Sequence, residues 1–159
     1  MVPRADAPRL ELRMSRLFAA PRDVVFGLWT DPDHLIHWWG PKGFPTLACE
    51  IDLKVGGAWR IRSRTPDGMT FSSYGVFHEV SPPERLVFSH SFDFPGQPLG
   101  PSTLVTARFL EENGKTRLTF HQGLFDTADD RDGHEEGWNS AFDLIDDYLR
   151  LLALRKETP

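Results

Sequence analysis

One stripe of apolar residues near the C-terminus limits what this chain can fold into. Trp138, Ala141, Phe142, Ile145, Tyr148, Leu149 and Leu152 recur at i, i+3, i+4 and i+7, the spacing of one face of an α-helix. Asp143, Asp146, Asp147 and Arg150 fall mostly off that face. The pattern predicts one long helix over about 129–152. No other stripe in the chain is wide enough to cover a sheet, so any strands before it must turn one face towards it.

Strands with tight turns are what the preceding sequence predicts. Leu10, Leu12 and Met14 alternate with Arg9, Glu11, Arg13 and Ser15, a half-exposed strand. Val24, Val25, Leu28 and Trp29 then recur at helical spacing behind Pro21, which fits a first helical turn because its missing amide has no helical partner there. Thr30-Asp31-Pro32 ends that helix and caps a second, short one carrying Leu35, Ile36, Trp38 and Trp39, which Gly40-Pro41-Lys42-Gly43 breaks. Segments at 46–52, 58–64, 70–80, 85–92, 102–111 and 116–123 read as strands. Gly56-Gly57, Pro66-Asp67-Gly68, Ser81-Pro82-Pro83-Glu84 and Asn113-Gly114 are the turns between most of them. Connections this short join antiparallel neighbours. The expected fold is α+β: a curved antiparallel sheet of about six or seven strands gripping the terminal helix, with two short helices plugging one end. It forms one domain over 9–153, between loose tails at 1–8 and 154–159.

Composition then excludes several functions. A length of 159 residues suits a single core, and a formal net charge of −5 argues against broad nucleic-acid binding, which needs a basic stripe. The lone Cys49 allows no intrachain disulfide and no cysteine zinc cluster, and its apolar strand setting suits an inert buried thiol. No apolar run reaches the ~18 residues of a membrane helix, and no apolar segment behind Met1 reads as a secretory signal, so a cytoplasmic location is the expectation. His34 and His37 share a helical face without a third ligand, and the acidic residues from Asp126 to Glu136 lack the alternation of a calcium loop. Neither a Gly-x-Ser-x-Gly elbow nor a phosphate-cradling loop is present. No metal and no other cofactor is expected.

The order of elements and the local motifs together resemble a known family. Ala20-Pro21 with Val24 to Phe26, Trp29-Thr30-Asp31-Pro32, Trp38-Trp39-Gly40-Pro41, Val55-Gly56-Gly57 with Trp59, and Tyr74-Gly75-Val76-Phe77-His78-Glu79-Val80 followed by Pro82-Pro83-Glu84-Arg85-Leu86 carry the likeness. Thr116, Leu118 and Thr119 with His121 and Gly123, and Gly137-Trp138 before the terminal stripe, complete it. This pattern resembles the family named after the activator of Hsp90 ATPase homology domain, within the Bet v 1-like, START-like or helix-grip superfamily, over roughly 9–153. The resemblance implies a cavity between sheet and terminal helix. It also implies three kinds of activity: binding of an apolar or aromatic small molecule, chemistry of the polyketide cyclase or dehydratase type, or contact with an Hsp90-type chaperone or another protein.

The residues leave these functions in competition. The chain holds 12 Phe, 5 Trp and 2 Tyr, and large rings between sheet and helix line either a ligand pocket or a filled core. Trp38, Trp39 and Phe44 are candidates for the lip of a pocket, or for caps on the end of the barrel. Period two puts Phe88 and His90 on one face, where His90 could orient a carbonyl or carry a proton; a core histidine bonded to backbone is the favoured account. Tyr74, Val76 and His78 share a strand face and are inner candidates by the same rule, while His121 reads as wet. Arg60 and Arg62, opposite Trp59 and Ile61, read as a solvated face. Trp59, Trp138, Phe142 and Ile145 complete the expected ligand-binding lining, with no catalytic residue assigned. An edge strand or the tryptophan lip would also serve a homodimer.

Overall fold

The computed structural model describes residues 10–157. Seven strands and three helices follow in the expected order: β1 (Leu12–Phe18), α1 (Arg22–Thr30), α2 (Pro32–Leu35), β2 (Thr46–Ile51), β3 (Ala58–Arg64), β4 (Thr70–Ser81), β5 (Arg85–Asp93), β6 (Thr103–Glu112), β7 (Lys115–Gly123) and α3 (Ala128–Glu157). The strands form one open sheet in the order β1-β7-β6-β5-β4-β3-β2, and every neighbouring pair is antiparallel. The chain therefore begins next to where the sheet ends: β1 pairs β7, and the two short helices carry the chain across to β2 at the far edge. This is an α+β helix-grip architecture.

Turn chemistry fixes the register. Asn113 and Gly114 both take positive φ, 54° and 80°, the backbone that a two-residue hairpin between β6 and β7 requires. Alternation then assigns the faces. Trp59, Ile61 and Ser63 of β3, Phe88 and His90 of β5, Thr103, Val105, Ala107 and Phe109 of β6, and Leu118, Phe120 and Gln122 of β7 are all buried. Gly75 of β4 shows how tight this inner surface is. A Cβ there would lie 1.8 Å from the Ser89 carbonyl oxygen and 2.8 Å from the Trp59 indole nitrogen, so only glycine lets the tryptophan lie across the strand.

The helices close this face. Asp31 ends α1, and its side chain accepts from the Asp33 amide at the start of α2 with Pro32 just inside, as the Thr30-Asp31-Pro32 signal predicts. α1 lays Phe26 and Trp29 on Phe109, with ring centroids 5.5 and 5.9 Å apart. α3 presents Trp138, Ala141, Phe142, Ile145, Tyr148 and Leu149, all buried. Phe142 meets Phe18 edge-on at 6.1 Å, and Arg16 of β1 ties the exposed side of the helix through Asp143 at 2.7 Å and Asp146 at 3.2 Å.

Some expectations about extent need correction. Residues 154–157 continue α3 rather than forming a tail, because Arg150, Arg155 and a run of leucines are sound helix formers. β1 begins at Leu12 rather than at Arg9, and Pro21 caps α1 from outside instead of occupying its first turn. α2 is one turn, after which residues 36–45 run as turns and loop, leaving Ile36 exposed. The expected tail at 1–8 lies outside the described residues.

Candidate functional site

The interior is not hollow along its whole length. Beneath the middle of α3, Phe142 and Ile145 pack directly into the core with Phe18, Leu118 and Phe120. A cleft of about 390 Å³ opens instead where α3 begins, between its first four turns, the loop after α2 and the inner face of β3, β4 and β5. That volume falls at the small end of ligand pockets, roughly 300–1,000 Å³.

The helix side of the cleft combines small residues with the larger His134 and Trp138. Gly133, Gly137 and Ala141 follow one another at four-residue spacing along the wall, and a Cβ added at Gly133 would meet nothing within 4 Å. The opposite side is aromatic. Phe71 and Phe94 stack at 4.9 Å, Phe92 stands 6.0 Å from Phe71 and 5.6 Å from Phe94, and Phe44 meets Phe71 edge-on at 6.3 Å. Trp39 and Trp138, perpendicular at 5.3 Å, form the inner end. The rim loop is pinned by two hydrogen bonds, from the Lys42 amide to Ser140 Oγ at 2.9 Å and from Thr46 Oγ1 to the Trp39 carbonyl at 3.3 Å.

Against these rings stand a few polar groups. His90 is 4% exposed and packs among Trp39, Trp59, Phe92, His134 and Trp138, yet its imidazole makes no hydrogen bond to another described residue. Ser63 and Ser73 are each 2% exposed and line the cleft, and their hydroxyls likewise bond to no described residue. Among the described residues the enclosed side-chain atoms without a hydrogen-bond partner are Trp29 Nε1 and Arg85 Nε, so the serine hydroxyls are not enclosed but face the open space of the cleft, where solvent or a ligand can bond them. His134 Nδ1 lies 2.8 Å from the Asp130 carbonyl oxygen. It must donate to that oxygen, since a carbonyl only accepts.

Burial sets the charge state of His90. Loss of solvent, reinforced by neighbouring His134 and opposed only by its own main chain, pushes its pKa down to about 3. His90 is therefore a neutral imidazole at physiological pH. A buried relay holds its strand: Trp138 Nε1 donates to Gln122 Oε1 at 2.7 Å, Gln122 Nε2 donates to Thr103 Oγ1 at 2.9 Å, and Thr103 Oγ1 donates to the His90 carbonyl at 3.3 Å. Wall residue and histidine are thus positioned by one fully satisfied chain.

The sequence-derived candidates divide into three groups. Trp39, Phe44, His90 and Trp138 meet at the cleft. Trp38, Trp59, Phe88, Phe142 and Ile145 are buried beside it in the packed interior. Trp38 is no lip residue: it is fully enclosed, with its indole N–H on the Leu28 carbonyl at 2.8 Å. Tyr74, Val76 and His78 lie on the outer face, which corrects their inner assignment. Phe77 and Gly75 are the inward positions of β4, so the alternation had the opposite parity, and an irregularity in pairing between Phe77 and Glu79 follows. Tyr74 there carries the Arg60 guanidinium 4.9 Å over its ring, and Arg60 and Arg62 are exposed as expected. His121 is half-buried on the outer face beside Glu11, 3.1 Å away.

The period of two that places His90 also places Phe92 on its face, whereas sequence reasoning missed Phe71, Phe94 and His134. The last had a legible signal, since it stands four residues before Trp138 and continues the helical stripe. Elsewhere, His34 and His37 are occupied by Tyr148, through a 2.7 Å contact to its hydroxyl and a stacked ring at 4.8 Å. No cluster suited to a metal ion occurs among the described residues. Burial, with Asp31 and Glu50 nearby, pushes the Cys49 thiol up to about 11. No helix among the described residues is long and apolar enough to cross a membrane.

Comparison with known proteins follows the fold. A family model described as activator of Hsp90 ATPase homolog 1-like protein matches residues 19–150. The AHSA1 protein from Silicibacter pomeroyi has a similar structure at 26% identity, with a TM-score of 0.78 over 89% of this chain and 98% of that one. A protein from Mycobacterium smegmatis is similar at 27% identity and a TM-score of 0.77, over 91% of this chain and 93% of that one. A third, from Nitrosomonas europaea, shows 25% identity and a TM-score of 0.77 over 91% and 97%. Among curated proteins there is no match.

Proposed function

The chain belongs to the family of activator of Hsp90 ATPase homolog 1-like proteins, and from that premise we propose that it binds one small aromatic or apolar molecule in the cleft at the start of α3. The observation that carries this reading is a single one: a space of about 390 Å³ walled largely by aromatic rings carries only a few polar side chains on its lining, among them Ser63, Ser73 and His90. Rings supply contact area at low entropic cost, and the few polar atoms fix orientation. The protein acts as a carrier or sensor of its ligand.

Binding is favoured over turnover by the same geometry. A neutral His90 has little tendency to take a proton with its pKa near 3, and no carboxylate, cysteine or activated hydroxyl is bonded to it. The test is a titration with the uncharged fluorophore N-phenyl-1-naphthylamine. The expected result is saturable enhancement at one site with quenching of tryptophan emission, and its loss in Gly133→Phe, which fills the cleft from a position with room for a side chain. Non-saturable enhancement, or enhancement that survives Gly133→Phe, contradicts the proposal.

A further inference from the structure

We propose that the occupant of this cleft is an uncharged or cationic planar aromatic that donates hydrogen bonds, and that carboxylate ligands are rejected; the proposal rests on the binding reading above. Three observations lead to it. The first is shape. Phe71, Phe92 and Phe94 on one side and Trp39 and Trp138 on the other offer ring faces and edges, which suit a flat ligand better than a branched chain.

The second is the character of the free polar atoms. His134 is committed to donating through Nδ1 to the Asp130 carbonyl. Each serine hydroxyl accepts as well as donates, and a neutral His90 has one accepting nitrogen. A ligand hydroxyl or N–H would find several acceptors here.

The third is charge. Asp129 and Asp130 line the cleft in the first turn of α3, while no lysine or arginine is among its lining residues. Arg131 is next in sequence but is paired with Asp132 at 3.1 Å, and Lys42 reaches the rim through its backbone amide. The aspartates also answer the positive end of the helix, removing the usual attraction of a helix start for an anion. Burial keeps His90 from serving as a cation. A ligand carboxylate would therefore be desolvated without a counter-charge and beside two negative groups, a costly placement.

A matched series on the full chain at about pH 7 separates the outcomes. The ligands are 2-naphthol, 2-methoxynaphthalene, 2-(aminomethyl)naphthalene as its ammonium, and 2-naphthoate, each followed by calorimetry and tryptophan quenching. Naphthol and the ammonium are expected to bind, the ether about threefold or more weaker, and naphthoate about tenfold or more weaker than naphthol. Replacing Asp129→Asn together with Asp130→Asn should narrow the naphthoate gap, and Gly133→Phe should abolish all binding. Naphthoate matching or exceeding naphthol overturns the charge selection, and an ether equal to naphthol overturns the donor requirement. Binding by none of the four overturns the small-molecule reading and this proposal with it.

Discussion

The two halves of α3 lie against the same sheet with opposite results. From Phe142 onwards the helix carries large residues, and Phe142, Ile145, Tyr148 and Leu149 fill the space down to β1, β7 and α1. In its first turns Gly133, Gly137 and Ala141 line a cleft beside His134 and Trp138. Sheet and helix backbone alone do not decide whether a grip of this kind is solid or hollow. Side-chain volume on a few helix positions decides it, and the aromatic residues of β4 and β5 then become walls instead of core.

The contrast can be broken most severely in the filled half. Phe142→Ala should cost about 3–5 kcal/mol, since the ring is enclosed and its neighbours cannot all collapse inward. Chemical denaturation of the variant measures this. A loss well under 1 kcal/mol would mean that the filled half is loosely packed too. Trp138→Ala, at the junction, should combine a loss of similar size with loss of fluorophore binding.

Acid reaches the other half through His90. Its folded pKa of about 3 lies below the unfolded value of about 6.5, so the unfolded chain takes up the extra proton. The stability contributed by the neutral ring is complete above about pH 6.5 and declines as pH falls towards 3, by at most about 1.4 kcal/mol per pH unit. Urea denaturation from neutral to mildly acid pH should show a shallower decline in His90→Gln than in the parent. Equal slopes would mean that His90 is not buried as described.

Smaller effects sharpen the boundary between the halves. Gln122→Leu leaves the Trp138 N–H without its acceptor and removes the bond that the Thr103 hydroxyl accepts, and should cost about 1–3 kcal/mol, while loosening the cleft wall enough to weaken fluorophore binding. Gly133→Phe should change stability by about 1 kcal/mol or less, because a helical glycine is replaced and the ring enters open space, yet it should remove binding altogether. Stability and binding thus respond in opposite measure at Phe142 and Gly133.

The fold was largely legible because its signals are periodic and local. The i, i+3, i+4 stripe gave α3, Asn113-Gly114 gave a hairpin, and Thr30-Asp31-Pro32 gave the junction of α1 and α2. The cleft was less so. Period two names two faces without saying which is inward, and β4 was assigned the wrong one because Gly75 hides the inner position that Trp59 covers. Adjacent tryptophans gave no means of choosing which one is enclosed; Trp38 is fixed by the Leu28 carbonyl and Trp39 is left to the cleft. Small residues at Gly133 and Gly137 make a void only relative to what faces them, and no single-sequence pattern reports the facing surface.

The central claim is that a ligand enters beside Trp39 and Trp138 and nowhere else in the aromatic interior. The indole N–H resonances of the five tryptophans, followed by heteronuclear NMR during titration with N-phenyl-1-naphthylamine, test it directly. The account predicts saturable shifts largest at Trp39 and Trp138, with Trp29 and Trp38 nearly still. Shifts largest at Trp29 or Trp38, or none at any indole while the fluorophore is bound, would contradict it.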